Sequence, residues 1–413
     1  MTQSVGKPFG RHILKRLLAV VMTAVLAAGL IQPASADSSV LKLPDSLTVI
    51  KEEAFAGCGA STVIIPDSVT EIGAKAFACC PNLTDVYIPD HEINIAEDAF
   101  EGSEDAVIHV IAKQLTYRYA SRDEGVSLLL SNQAYHNGFS QNDLDFRMQK
   151  KNATLDEYLA FAAEQVLEFT DEEKAVVDVC IAKMNERLAS NGCFLPASDR
   201  VVFVKTTSLE ESELGVYTHG NQIYLVDYLL DYVIYGDEES TPEEILEFFE
   251  AILWHEWFHC LTRSNPEFRR KMYEVIHFTI ADEDFPPPPG LSEYYYSNPD
   301  VEHHDAYASF RIDGQDVNCY LYLVTTKHFE ELGDVGDDYW APMLIPIDGR
   351  NEYYTVEEAE DFYEVLGENT DYVIDPEECL ADNFGYAMVY GLDAPYVTPE
   401  IIEGILSILM GGS

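Results

Sequence analysis

Trp254-His255-Glu256-Trp257-Phe258-His259 sets two imidazoles four residues apart, with a carboxylate beside the first. On a helix, positions i and i+4 share a face, so His255 and His259 can close on one metal ion. At ~100° per residue, Glu256 stands about 60° round the helix from His259, within reach of the open side of such an ion without ligating it. Between Ala251 and Leu261 the only other ionisable group is Cys260, and the remainder is Ala, Ile, Leu, Trp and Phe. A segment apolar all round is a buried one, where polar groups are costly unless paired or coordinated. Thr241-Pro242-Glu243-Glu244 supplies a start signal, with threonine as cap, proline at the first helical position and glutamate at the third. The helix is expected to run to about Arg263.

Two histidines do not complete a catalytic zinc site, which takes three protein ligands and keeps a position open. The metzincin extension is missing: Thr262 stands where glycine is needed and Asn265 where histidine is needed. The His-Glu-x-x-His pattern without that extension resembles the gluzincin class of zinc metallopeptidases. There the third ligand is a glutamate on a later helix, and an aspartate four residues on orients a zinc histidine. That resemblance implies Glu378 as ligand and Asp382 as its orienting partner. Glu357 with Asp361, and Glu330 with Asp334, share the spacing. Glu378 is preferred because it opens an apolar run containing Leu380, Ala381, Phe384, Tyr386, Ala387, Met388 and Val389. Asp300, His303, His304 and Asp305 stay open as alternatives. Cys260 and Cys379 each follow a ligand by one residue, and so point ~100° away.

The chemistry the resemblance implies is peptide hydrolysis. Zinc lowers the pKa of a bound water toward ~7 and polarises the scissile carbonyl, while Glu256 takes the proton and returns it to the leaving amine. An oxyanion donor is also needed, and His304 and Tyr307 are the candidates. Gly215 to Thr218 and Gln222 to Leu225 flank His219-Gly220-Asn221, a hairpin pattern just ahead of the helix. In zinc metallopeptidases such an edge pairs with an extended substrate.

The N-terminal part repeats itself. Leu43-Pro44-Asp45-Ser46-Leu47-Thr48-Val49-Ile50 returns as Ile65-Pro66-Asp67-Ser68-Val69-Thr70-Glu71-Ile72, and more loosely from Ile88. Ala54-Phe55, Ala76-Phe77 and Ala99-Phe100 keep step at spacings of 22 and 23 residues. A period in the twenties predicts a leucine-rich-repeat solenoid with strands at Val63–Ile65, Val86–Ile88 and Val107–Val110. Cys58, Cys80 and Ser103 fall at equivalent positions, as small buried rungs. The stretch from about 40 to 130 resembles the BspA type of bacterial surface-protein repeat, which implies adhesion, partner binding or scaffolding. Three turns are near the minimum for stability, so the array is expected to lean on the following domain.

Residues 1–36 have the form of a secretory signal peptide. Lys7, Arg11, Lys15 and Arg16 precede an apolar run from Leu17 to Leu30, and Ala34-Ser35-Ala36 offers a cleavage site. Cleavage removes those four charges, taking the net charge from −48 to −52. Such a surface repels nucleic acid and anionic membranes, and no stable membrane span is expected in the mature chain. Eight cysteines without a C-x-x-C pair do not make a disulfide scaffold.

The expected fold is α+β: a short leucine-rich-repeat solenoid followed by a zincin-like metallopeptidase domain with a mixed sheet and an active-site helix. The expected boundaries are a signal peptide at 1–36, repeats at 37–130, a connector at 131–152 and the peptidase domain at 153–413. The expected protein is secreted or at the cell surface, binds Zn2+, and acts on a peptide or protein substrate. Its repeats meet a protein or cell-surface partner. The rival expectation is an adhesin or interaction protein whose metal domain is inactive.

Overall fold

The computed structural model describes residues 40–411 apart from 113, 214, 289 and 330–339. The signal-peptide segment and the Glu330 and Asp334 alternative lie outside the described residues. The chain is mixed α and β and divides into two compact units. One holds residues 40–115, 184–198 and 404–411, and the other 116–183 and 199–403.

In the first unit, strands β1 (Val40–Lys42), β2 (Thr62–Ile64), β3 (Asp85–Pro89) and β4 (Val107–Ala112) form a parallel ladder in which Val40, Thr62, Asp85 and Val107 are in register. The repeat thus begins one strand earlier than its three expected turns. Phe55, Phe77 and Phe100 stack through the interior, with ring centroids 5.3 and 5.5 Å apart. The Cys80 N–H donates to Ser103 Oγ at 2.9 Å, and the Cys58 and Cys80 sulfurs lie 3.0 Å apart as free thiols. These are the small rungs the period predicts.

The open edge of β4 is taken up by Leu195–Pro196, which pairs antiparallel with Ala112 and Ile111. The Phe194 N–H donates to the Leu409 carbonyl at 2.6 Å. Residues 184–198 and 404–411 therefore belong with the repeats, a correction to their expected place in the 153–413 domain. Backbone ladder bonds close the edge, and these need no particular side chain.

In the second unit, β5 (Tyr117–Tyr119), β6 (Val201–Thr206), β7 (Tyr217–His219) and β8 (Gln222–Val226) make a sheet ordered β7-β8-β6-β5. Strands β5, β6 and β8 run parallel, while β7 returns antiparallel to β8 through Gly220-Asn221 and forms one edge. Gly220 adopts the positive φ that this tight turn requires. With β5 in this sheet, the second unit starts near 116 and not at 131. The stretch 131–152 is no connector. It carries the helices Gln133–Asn137 and Gln141–Arg147. Arg147 is fully buried, paired with Asp143 at 2.8 Å and with Glu211, over the rings of Tyr135, Phe139 and Tyr296. Its charges satisfy one another indoors, so polar composition concealed a packed segment.

Three helices frame the site: α1 (Pro242–Ser264), α2 (Pro266–Val275) and α3 (Pro376–Tyr390). Thr241 and Glu244 cap α1 reciprocally, and Asp375 caps α3. Helices α1 and α3 approach closely at Gly385, where a Cβ would stand 2.8 Å from the Ala251 carbonyl oxygen. Gly385→Ala is expected to force the helices apart and cost about 1–3 kcal/mol. Urea unfolding should show a lower midpoint at unchanged slope. An antiparallel meander of Ala306–Ile312, Gln315–Thr325 and Trp340–Pro346 completes the unit. Among the described residues, no helix is long and apolar enough to cross a membrane.

Candidate metal centre

Helix α1 is buried along most of its length, with Phe248, Leu253, Trp254, Trp257 and Phe258 fully inside. That packing fixes the His255 and His259 rings, whose centroids are 4.9 Å apart. Across from them, α3 presents Glu378 near its N-terminal end. Glu378 Oε2 lies 3.1 Å from His255 Nε2 and 3.6 Å from His259 Nε2. Bonds of about 2.1 Å in a tetrahedral site put neighbouring ligand atoms about 3.4 Å apart, and the two distances bracket that value.

Each imidazole is oriented from behind. His255 Nδ1 faces Asp382 Oδ1 at 2.8 Å, and His259 Nδ1 faces Glu377 Oε1 at 3.2 Å. With carboxylates accepting the Nδ1 protons, Nε2 of each ring is the atom left for an ion. Asp382 is held by the Thr370 hydroxyl, and Glu377 by the hydroxyls of Thr262 and Tyr273 at 2.5 and 2.6 Å. Asn298 donates its amide to Glu378 Oε1.

The buried His259 Nε2 makes no hydrogen bond, and neither does Glu256 Oε2. An unpartnered imidazole nitrogen buried beside Glu378 fits a metal-ligand role. Burial, then Asp300, pushes the Glu256 carboxyl up to about 8. Burial works against charge on Glu378 too, but His255 and His259 overcome it and hold that carboxyl far below its usual range. The same opposition acts on His259, where Asp300, Glu377 and Glu378 win and raise the imidazole to about 10. The carboxylates around the two imidazoles thus make the site strongly attractive to positive charge. The donor set of two imidazole nitrogens and a carboxylate suits zinc.

His255, His259 and Glu378 therefore converge, with Glu256 alongside and Asp382 behind. His304 and Tyr307 do not join them. His304 is half-buried among Tyr295, Tyr320 and Tyr322, its Nε2 3.1 Å from the Tyr295 hydroxyl. Tyr307 packs edge-on against Phe285. Both are committed to the aromatic layer over the meander, which corrects their expected role as oxyanion donors. Of the alternatives for the third ligand, Glu357 sits exposed on a short 3-10 turn. His303 is exposed beside Asp284, and Asp305 is paired with Arg269. Asp300 does lie at the site, grouped with Glu256 and His259 with ligand atoms within 4.8 Å of one another.

Glu377 and Tyr372 are among the residues at the site that carried no sequence expectation. Glu377 orients His259, although it precedes Glu378 and points ~100° away along α3. Tyr372 packs beside His255, with ring centroids 6.2 Å apart. Burial, reinforced by Glu378, Asp300, Asp382 and Glu256, raises its phenol well above the usual range, so it is a neutral hydrogen-bond donor. The acidic pair at the head of an apolar helix was a signal for Glu377. Tyr372 lies in an irregular loop, where no periodicity marks a side chain's direction.

Residues 35–121 match the family model described as BspA type Leucine rich repeat region, in six copies. This part of the chain is a BspA-type repeat region. No curated protein and no solved structure matches the chain. The BspA-type match runs past residue 115 and takes in β5.

Proposed function

We propose that the protein is a zinc-dependent metallopeptidase whose ligands are His255, His259 and Glu378 and whose general base is Glu256. The observation that carries this reading is the convergence of the two Nε2 atoms and Glu378 Oε2 at 3.1 and 3.6 Å, each imidazole backed by its own carboxylate. Zinc, when bound, supplies a Lewis acid that acidifies water and polarises the scissile carbonyl. Glu256 accepts the proton from the attacking water and delivers it to the leaving amine, so peptide and water give a carboxylate and an amine. The edge strand β7 offers backbone groups to an extended peptide, and the partly exposed His255 faces solvent. Tyr372 donates its O–H to the carbonyl oxygen as negative charge develops there. The repeats serve as a docking or scaffold module.

Tyr372→Phe is expected to lower kcat by about 10²–10³, the range for losing one oxyanion donor, with KM little changed. Steady-state kinetics on a cleaved peptide checks this. The whole reading is tested by metal content and by cleavage of a peptide library, with one zinc per chain and hydrolysis abolished by a chelator expected. The BspA-type repeats favour a second reading, an interaction protein with an inactive metal domain. A zinc-free protein without hydrolysis would put it ahead.

A further inference from the structure

The segment 298–302 is strapped over both halves of the proposed site. The Asn298 amide holds Glu378. Asp300 Oδ1 accepts the Thr218 N–H at 2.8 Å and the Thr218 hydroxyl. The Pro299 and Asp300 carbonyls accept from the Arg263 guanidinium at 3.1 Å each, and Glu302 pairs with Arg263 Nε at 2.9 Å. Glu302 also takes the Gly220 N–H at 3.4 Å. Thr218 lies on β7 and Gly220 in the turn that follows it, and their N–H groups, on the side of β7 away from β8, are the ones an extended peptide would take over on displacing Asp300 and Glu302.

The Asp300 carboxylate is therefore shared between two places. It caps the Thr218 N–H, and it lies in one ligand-distance group with Glu256 and the fully buried His259, whose Nε2 has no hydrogen-bond partner. We propose that Asp300 is a displaceable fourth ligand that closes the metal site in the resting protein. An extended peptide displaces it by taking over the Thr218 N–H. Recognition of the peptide backbone and opening of the metal site are then a single event. A small molecule that cannot pair with β7 leaves Asp300 in place. The inference rests on the proposed metallopeptidase reading and on its three ligands.

The test uses the full-length protein loaded with Co2+ and read by visible absorption, with acetohydroxamate as the probe. Asp300→Asn keeps an oxygen for the Thr218 N–H but gives up the anionic ligand. It is expected to retain one metal per chain, to change the Co2+ spectrum before any probe is added, and to bind acetohydroxamate about tenfold or more tighter. Glu302→Ala, which loosens the segment while keeping Asp300, should move the hydroxamate affinity the same way by less, and it decides the matter if Asp300→Asn does not fold. An unchanged spectrum and affinity in both variants would overturn the plug while leaving the three-ligand site standing. Loss of metal from Asp300→Asn would make Asp300 an obligatory ligand and likewise end the proposal. A parent protein that binds no Co2+ or zinc would remove the underlying reading along with it.

Discussion

Glu256→Gln is expected to hold its zinc and lose hydrolysis by about 10²–10⁴, the range for removing a positioned general base. Glutamine matches the shape of Glu256, so the buried helix around it keeps its packing, but the amide cannot accept and return a proton. Glu256 sits beside the ligands rather than in their first layer, and its Oε2 makes no hydrogen bond whose loss would disturb the fold. The effect should therefore fall on kcat, with metal content and thermal melting close to those of the parent. Kinetics and metal analysis on one preparation check this. Full activity in the variant would rule out Glu256 as the base.

Removing a ligand acts on a different quantity. A structural zinc site worth ~10–16 kcal/mol, spread over three or four ligands, assigns ~3–4 kcal/mol to each, or several hundredfold in affinity. Glu378→Ala is expected to weaken zinc by at least that much, measured by competition against a chromophoric chelator. It also leaves the Asn298 amide without its acceptor. Asp382→Ala removes only the orienting carboxylate and should cost about 10–100-fold. Glu357→Ala, on an exposed turn, should change nothing. A loss at Glu357 with none at Glu378 would reassign the third ligand.

The elements legible in the sequence were those whose own residues dictate them. Periodicity gave the repeat strands because Phe55, Phe77 and Phe100 must stack at equivalent positions. Thr241 with Glu244 marked the start of α1, and Gly220-Asn221 marked the hairpin that leaves β7 at an edge. What stayed hidden was decided by partners far along the chain. Arg147 reads as a surface charge until Asp143 and Glu211 enclose it. Glu377, Asn298 and Tyr372 matter through contacts made 118, 80 and 117 positions away in sequence. His304 and Tyr307 were drawn toward the site by residue type alone, whereas strand alternation and aromatic neighbours set their direction.

The Leu195–Pro196 pairing on β4 and the Phe194 to Leu409 bond bear on the order in which this protein is made. The repeat strands leave the ribosome first, yet their last edge is covered by Leu195–Pro196, synthesised about 80 positions later, and the Leu409 carbonyl that bonds the neighbouring Phe194 follows about 300 positions on, at an elongation rate of ~5–20 residues per second. For many seconds β4 stands with an unpaired edge, open to another chain. A truncation ahead of 195 would make that interval permanent, turning a folding delay into an aggregation route.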